Sequence, residues 1–162
     1  MENEGQKRKR YTPQQAKLKA ESYCAYQERS QKEIRDKLYE WGLFSREVEL
    51  IISELIETNF LNEERFALAY AQGKLRIKGW GKYKIKQGLK LKQVSGKLII
   101  KALEHLDSGE YLDKLESIIV KKSALISERD PFKRRYKLQQ FAQMRGFEQD
   151  LILEILKNKG LS

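Results

Sequence analysis

Eleven cationic side chains stand between Arg65 and Leu103: Arg65, Lys74, Arg76, Lys78, Lys82, Lys84, Lys86, Lys90, Lys92, Lys97 and Lys101. Not one Asp or Glu interrupts that stretch, whereas the flanking segments carry most of the acids. The chemistry open to such a block is recognition of a polyanion, either nucleic acid or a protein surface beside it. Lysines act as mobile point charges that suit backbone phosphates better than base edges, so the expected binding is salt-sensitive and poor in sequence readout. Trp80 and Tyr83, set among the lysines, are candidates for stacking on bases or for packing between modules. A weaker cationic group recurs at Lys133, Arg134, Arg135 and Lys137.

Other chemistry finds little footing. The chain has one histidine, His105, and one cysteine, Cys24, too few for a metal-ligand cluster or an internal disulfide. No GxxxxGK[ST] run is present, and Gly79-Trp-Gly81 does not complete a GxGxxG after a strand, so it reads as a turn between helices. The carboxylates, Glu47, Glu49, Glu54, Glu57, Glu63 and Glu64 among them, sit beside basic residues as solvated faces do. The expectation is a binding protein without catalytic residues, cofactor or metal. A net charge of +10 over 162 residues agrees with a polyanionic partner. The absence of a long apolar run or an apolar leader core, with one cysteine, suggests a cytoplasmic protein with no membrane contact.

The elements that must carry these cations read as helices. Residues 1–12, with Lys7-Arg-Lys-Arg10, resemble a basic disordered tail. Thr12-Pro13 starts a first helix; Ser30-Gln-Lys-Glu33 is a capping box for a second, which Gly42 ends; Ser45 is placed to cap a third over Val48, Ile51, Ile52, Leu55 and Ile56. Asn62 caps a fourth, on which Phe66, Tyr70 and Ile77 share a face until the break at residues 78–81. Helices at 82–93 and 95–106 follow, the latter with Leu98, Ala102 and Leu106 in register. The next carries Tyr111, Leu112, Leu115, Ile118, Ile119 and Leu125. Asp130-Pro131 opens another with Phe132, Leu138, Phe141 and Met144, closed by Gly146. Asp150 starts the last, over Leu151, Ile152, Ile155 and Leu156.

Superposing the middle helices matches Ile34 with Ile85 and Leu138, Leu38 with Leu89 and Ala142, and Gly42-Leu43 with Gln93-Val94 and Gly146-Phe147. The period is about fifty residues, which predicts stacked helical modules. The boundaries drawn are a tail at 1–12 and three-helix repeats at 13–61, 62–107 and 108–162. One segment conflicts locally: Tyr83, Ile85, Leu89 and Leu91 alternate with lysines as a half-exposed strand would, and the repeat register assigns it to helix. On that helix Lys82, Lys86 and Lys90 fall on one ridge.

Three stretches carry a family resemblance. They are Ser30-Gln-Lys-Glu-Ile-Arg-Asp-Lys-Leu38 with Gly42; Asn62-Glu-Glu-Arg-Phe-Ala-Leu-Ala-Tyr70 continuing through Arg76, Lys78-Gly79 and Ile85; and Lys137-Leu138, Phe141-Ala142 and Arg145-Gly146-Phe147. In this order and spacing, over about 130 residues, the chain resembles the RecX family, whose members modulate the RecA recombinase. The resemblance implies an all-α, elongated and curved molecule of three tandem three-helix repeats. It implies binding to the RecA–single-stranded DNA filament, mainly inhibiting recombinase, ATPase and coprotease activities, in DNA repair, recombination and the SOS response. Two features depart from the family pattern: Lys92-Gln93 replaces a common Lys-Gly turn, and Trp80 stands in the 78–81 break. The family motif assigns no catalytic residues, so the candidate interface is taken from charge: Arg65, Lys74, Arg76, Lys78, Lys82, Lys84, Lys86, Lys90, Lys92, Lys133, Arg134, Arg135 and Lys137. A monomer is expected. The rival readings are a stand-alone helix-turn-helix DNA-binding protein, allowed by the glycine turns at Gly42 and Gly146, and a helical-repeat adaptor for another protein.

Overall fold

Helix starts fall where a short polar side chain can take a free backbone N–H. In the computed structural model, which describes residues 10–161, the order is α1 (Pro13–Tyr26), α2 (Gln31–Glu40), α3 (Ser45–Glu57), α4 (Glu63–Gly73), a π turn (Lys74–Lys78), α5 (Lys82–Leu91), α6 (Gly96–Glu104), α7 (Ser108–Leu125), α8 (Pro131–Met144) and α9 (Gln149–Asn158). Thr12 with Gln15, and Ser30 with Glu33, close reciprocal capping boxes over α1 and α2. Asn62, Ser95, Asp107 and Asp130 each accept one N–H at the start of α4, α6, α7 and α8. Ser45 is not the cap of α3. It is the first helical residue, and the end is held instead by Glu47, whose carboxylate accepts the Phe44 N–H at 3.1 Å. Of the expected tail, residues 1–9 lie outside the described residues. Arg10 lies 4.4 Å over the Phe44 ring, and the Tyr11 N–H donates to the Trp41 carbonyl.

The three modules share one corner. Gly42, Gln93 and Gly146 have φ of +88°, +58° and +95°, the left-handed conformation that ends a helix. In two of them the hydrogen bonds coincide: Gly42 and Leu43 donate to the carbonyls of Tyr39 and Leu38, and Gly146 and Phe147 to those of Gln143 and Ala142. Gln93 supplies from a side-chain-bearing residue the geometry that glycine supplies elsewhere, so the Lys92-Gln93 departure leaves the turn in place. Ahead of this corner Ile34, Ile85 and Leu138, and Leu38, Leu89 and Ala142, are all fully buried. The repeat register is therefore a register of buried positions.

The chain divides into two compact units, one running to Phe66 with Lys92–Val94 and the other comprising Ala67–Leu91 and the chain from Ser95 onward. In the first, Ala16, Ala20 and Cys24 of α1 pack with Ile34 and Leu38 of α2 and Val48, Ile51, Ile52 and Leu55 of α3. Burial pushes the Cys24 thiol up to about 11. It should stay protonated and unreactive toward a disulfide reagent at pH 8 in the folded chain and react fully in denaturant. Thiol labelling during a urea titration should therefore trace the unfolding of this unit. Early labelling in water would contradict the burial.

In the second unit, α5 settles the strand-or-helix conflict. Only the two residues four apart, Ile85 and Leu89, are buried, while Tyr83 and Leu91 are 61% and 76% exposed. Helical spacing, not alternation, decides which face is covered. Gly88 fits because a Cβ there would run into the Tyr70 hydroxyl.

Several expected core residues are exposed. Ile77 does not share the face of Phe66: the π turn widens the helix after Gly73, which buries Leu75 and leaves Ile77 in solvent. On α8, Leu138 and Ala142 are buried but Phe132 and Met144 are not, since six residues from Leu138 is about 120° around a helix. Ile56 of α3 and Leu112 and Leu125 of α7 are exposed as well, and on α6 Ile99 is more fully buried than Leu98.

Candidate nucleic-acid interface

The cations near α5 are held by the junction between the second and third modules, all within the second unit. Gly81 donates to the Arg145 carbonyl at 2.8 Å and Tyr83 to the Gly146 carbonyl at 3.0 Å. The Arg145 guanidinium donates back to the Lys78 carbonyl at 2.8 Å. Two backbones touch here with no side chain between them: a Cβ on Gly81 would lie 2.5 Å from the Gly146 carbonyl and the Phe147 nitrogen. A Cβ on Gly146 would lie 2.5 Å from the Lys84 nitrogen. The turn that carries Trp80 is thus fixed from both ends.

A second tie is polar and buried. The Tyr111 hydroxyl accepts the Lys82 N–H at 2.9 Å and donates to the Glu148 carboxylate. Burial first, and then the Glu148 carboxylate, push the Tyr111 pKa up, so the hydroxyl remains a donor at any physiological pH. Tyr111→Phe should destabilise the chain by about 1–3 kcal/mol, because it leaves a backbone donor and a carboxylate without their partner. A urea midpoint equal to that of the parent chain would show the tie to be unimportant.

The thirteen cations selected by charge fall into distinct roles. Arg65 is a clamp in the first unit, donating to Glu28 at 2.9 Å and to the side chain and carbonyl of Asn59 at 3.0 and 2.9 Å. Arg134 is another, donating to the carbonyls of Ser123, Ile126 and Glu128 where α7 turns into α8. Both guanidiniums are occupied inside the fold. Arg76 forms a two-pronged pair with Glu110, whose carboxyl it holds below the usual range through that hydrogen bond. Lys137 pairs with Glu128 at 3.6 Å, and Lys92 belongs to the first unit. Arg135 is half-buried, with its Nε enclosed, and Lys133 is exposed.

The remaining cations gather on one unit. Lys78, Lys86 and Lys90 are exposed. The expected ridge of Lys82, Lys86 and Lys90 is therefore free at its last two members, while the Lys82 ammonium lies 5.1 Å over the Tyr111 ring. Lys74 and Lys84 place their ammoniums 4.8 and 4.9 Å from the centre of the Trp80 ring, and Lys74 also stands 5.3 Å from that of Tyr70. Such contacts at partly exposed sites are worth about 0.5–1 kcal/mol each. Sequence reasoning finds Trp80 and both lysines but not their assembly, nor Lys114, which donates to the Arg76 carbonyl at 2.9 Å, nor Arg145. Arg145 is legible only as part of Arg145-Gly146-Phe147 in the third stretch of the family resemblance.

The described residues include no helix long and apolar enough to cross a membrane. Comparison with known proteins places each module. Residues 62–103 match the model for the RecX second three-helix domain, 109–156 that for the third and 16–55 that for the first. Among curated proteins, the chain is 31% identical over 131 residues to the regulatory protein RecX of Clostridium perfringens (strain 13 / Type A), a match covering 80% of this chain and 61% of that one. It is 32% identical over 146 residues to that of Clostridium acetobutylicum, covering 88% and 67%. It is 26% identical over 149 residues to that of Bacillus mycoides, spanning 55% of its length. The crystal structure of RecX from Lactobacillus salivarius shares the fold, with a TM-score of 0.81 at 23% identity over 93% of this chain and 97% of that one. With its three modules matched in order by the three domain models, and the all-helical fold shared, the chain belongs to the RecX family of regulatory proteins.

Proposed function

We propose that the chain binds the filament of RecA on single-stranded DNA and restrains it, lowering strand exchange, ATP hydrolysis and coprotease stimulation. It does so by binding alone. The observation that carries this reading is the acid-free run from Arg65 to Leu103, whose exposed lysines on α5 offer a polyanion a surface with no repelling carboxylate of its own segment. A nucleoprotein filament presents both phosphates and protein carboxylates, so one cationic surface can engage either. Membership of a family of regulatory proteins supports the same reading, and the family resemblance of the three matching stretches implies RecA as the partner. Bridging neighbouring recombinase subunits, or occupying the groove between them, restrains the filament without chemistry on this chain's part.

The test is direct. Purified chain added to RecA, single-stranded DNA and ATP in amounts stoichiometric with RecA should slow ATP hydrolysis and strand exchange. Unchanged rates of both would overturn the proposal. A footprint on one duplex sequence in the absence of recombinase would support the helix-turn-helix alternative instead.

A further inference from the structure

Trp80 is mounted rather than draped. Its turn follows Gly79, which is left-handed at φ +66°, and the N–H groups of Gly79 and Trp80 return to the carbonyls of Leu75 and Lys74, both at 3.1 Å. On the other side Gly81 is bonded to Arg145. The indole is half-buried, and the ammoniums of Lys74 and Lys84 rest against its π system. Two of the free N–H groups at the adjoining helix start are already taken. The Lys82 N–H is taken by the Tyr111 hydroxyl and the Tyr83 N–H by the Gly146 carbonyl. These two backbone donors are closed to a phosphate approaching the turn, and the ammoniums of Lys74 and Lys84 are, among the described residues, the cations nearest the indole.

The geometry points to a site for one unpaired base of a single-stranded nucleic acid, formed by Trp80 with Lys74 and Lys84. The base stacks on the indole, and the two ammoniums swing from the ring to the phosphates on either side of it. The exchange is favourable on physical grounds. An ammonium over a partly exposed ring is held weakly, a stacked base is held more strongly, and each ammonium that reaches a phosphate displaces condensed counterions. Stacking tolerates any base, since every base has a π face. The inference rests on the proposed function in taking a nucleic-acid strand as partner. It adds which residues meet the bases and predicts an affinity that phosphates alone do not provide.

The experiment uses the full chain carrying Trp41→Phe, so that Trp80 is the one remaining tryptophan. The probes are a fifteen-nucleotide oligo-dT, the matching oligo-U, and an abasic deoxyribose-phosphate strand of equal length and charge, all in the same salt. Oligo-dT should quench Trp80 fluorescence and bind roughly tenfold tighter than the abasic strand. Oligo-U behaving as oligo-dT would assign the site to single strands generally, and weaker quenching by oligo-U would assign it to DNA. Trp80→Ala should erase the gap between oligo-dT and the abasic strand. Equal affinity for those two strands on the Trp41→Phe chain overturns the site, and that comparison needs no substitution in the turn. RecA ATPase inhibition measured in parallel separates the two readings. Inhibition without base preference removes the stacking site alone, and base preference without inhibition removes the filament role alone.

Discussion

Glutamate in place of Lys78, Lys86 and Lys90 together should lower affinity for single-stranded DNA at least tenfold near 100 mM salt and remove the effect on RecA. The number follows from counterion release: each phosphate contact on a single strand contributes about 0.7 to the salt slope, so three lost contacts flatten it by about 2 before any repulsion is added. Lys82 is left in place because its ammonium lies against Tyr111, and altering it would mix a packing effect with a charge effect. The fold should survive. All three residues are exposed, and Lys86→Glu sets a carboxylate one turn after Lys82, a spacing that permits an ion pair. Circular dichroism should match the parent chain while the salt dependence changes. An unaltered salt slope would show that these lysines face away from the polyanion. Arg65 and Arg134 make the contrast. Replacing either should lower stability, since both hold carbonyls within the fold.

Gly81→Ala and Gly146→Ala should each cost about 3 kcal/mol or more, a large part of a small protein's stability. The added methyl at residue 81 meets the backbone of Gly146 and Phe147 at 2.5 Å, and backbone cannot swing aside as the end of a side chain can. Gly146→Ala has the same collision with Lys84 and also a left-handed φ of +95°. The junction would have to open, and the hydrogen bonds from Gly81 to Arg145 and from Tyr83 to Gly146 would go with it. Gly96→Ala is the control, for nothing lies within 4 Å of the added methyl in that helix, and a neutral or slightly raised urea midpoint is expected. The double variant should cost less than the sum of the two, because one opened junction relieves both collisions. Unchanged midpoints for both single variants would mean that the modules do not meet at these glycines.

What the residues disclose by themselves is periodic. A buried pair four residues apart, followed by a left-handed corner, leaves the same mark three times, so Ile34, Ile85 and Leu138 align from the letters alone. The same reasoning places α5 as a helix against its local alternation. It fails where the geometry is not periodic. The π turn at Lys74–Lys78 shifts the phase of its helix without a proline or any other visible break, and Ile77 falls on the wrong face for that reason. Charge is legible as composition but not as role: Arg65 and Arg76 look alike in a string of letters, yet one guanidinium is spent on Glu28 and the carbonyls of a loop end and the other on a single carboxylate, Glu110. The Tyr111–Glu148 tie depends on tertiary approach, which spacing along the chain does not encode, and the lysines reach Trp80 only because the turn at Gly79–Gly81 folds them onto it.

Three copies of one left-handed corner in a single polypeptide let each copy act as a natural graft test of the others. The middle copy runs this corner on glutamine, so the corner itself accepts a side chain. The third copy cannot follow, because a neighbouring backbone lies against Gly146, whereas a Cβ at Gly42 would come within 3.1 Å of Arg10, which would have to give by only a few tenths of an ångström. Swapping residues between the middle and third copies is therefore one-directional: glycine can move into the middle copy, but glutamine cannot move to position 146. In a tandem-repeat protein of this kind, interchangeability is set by what presses on a position from outside its own repeat.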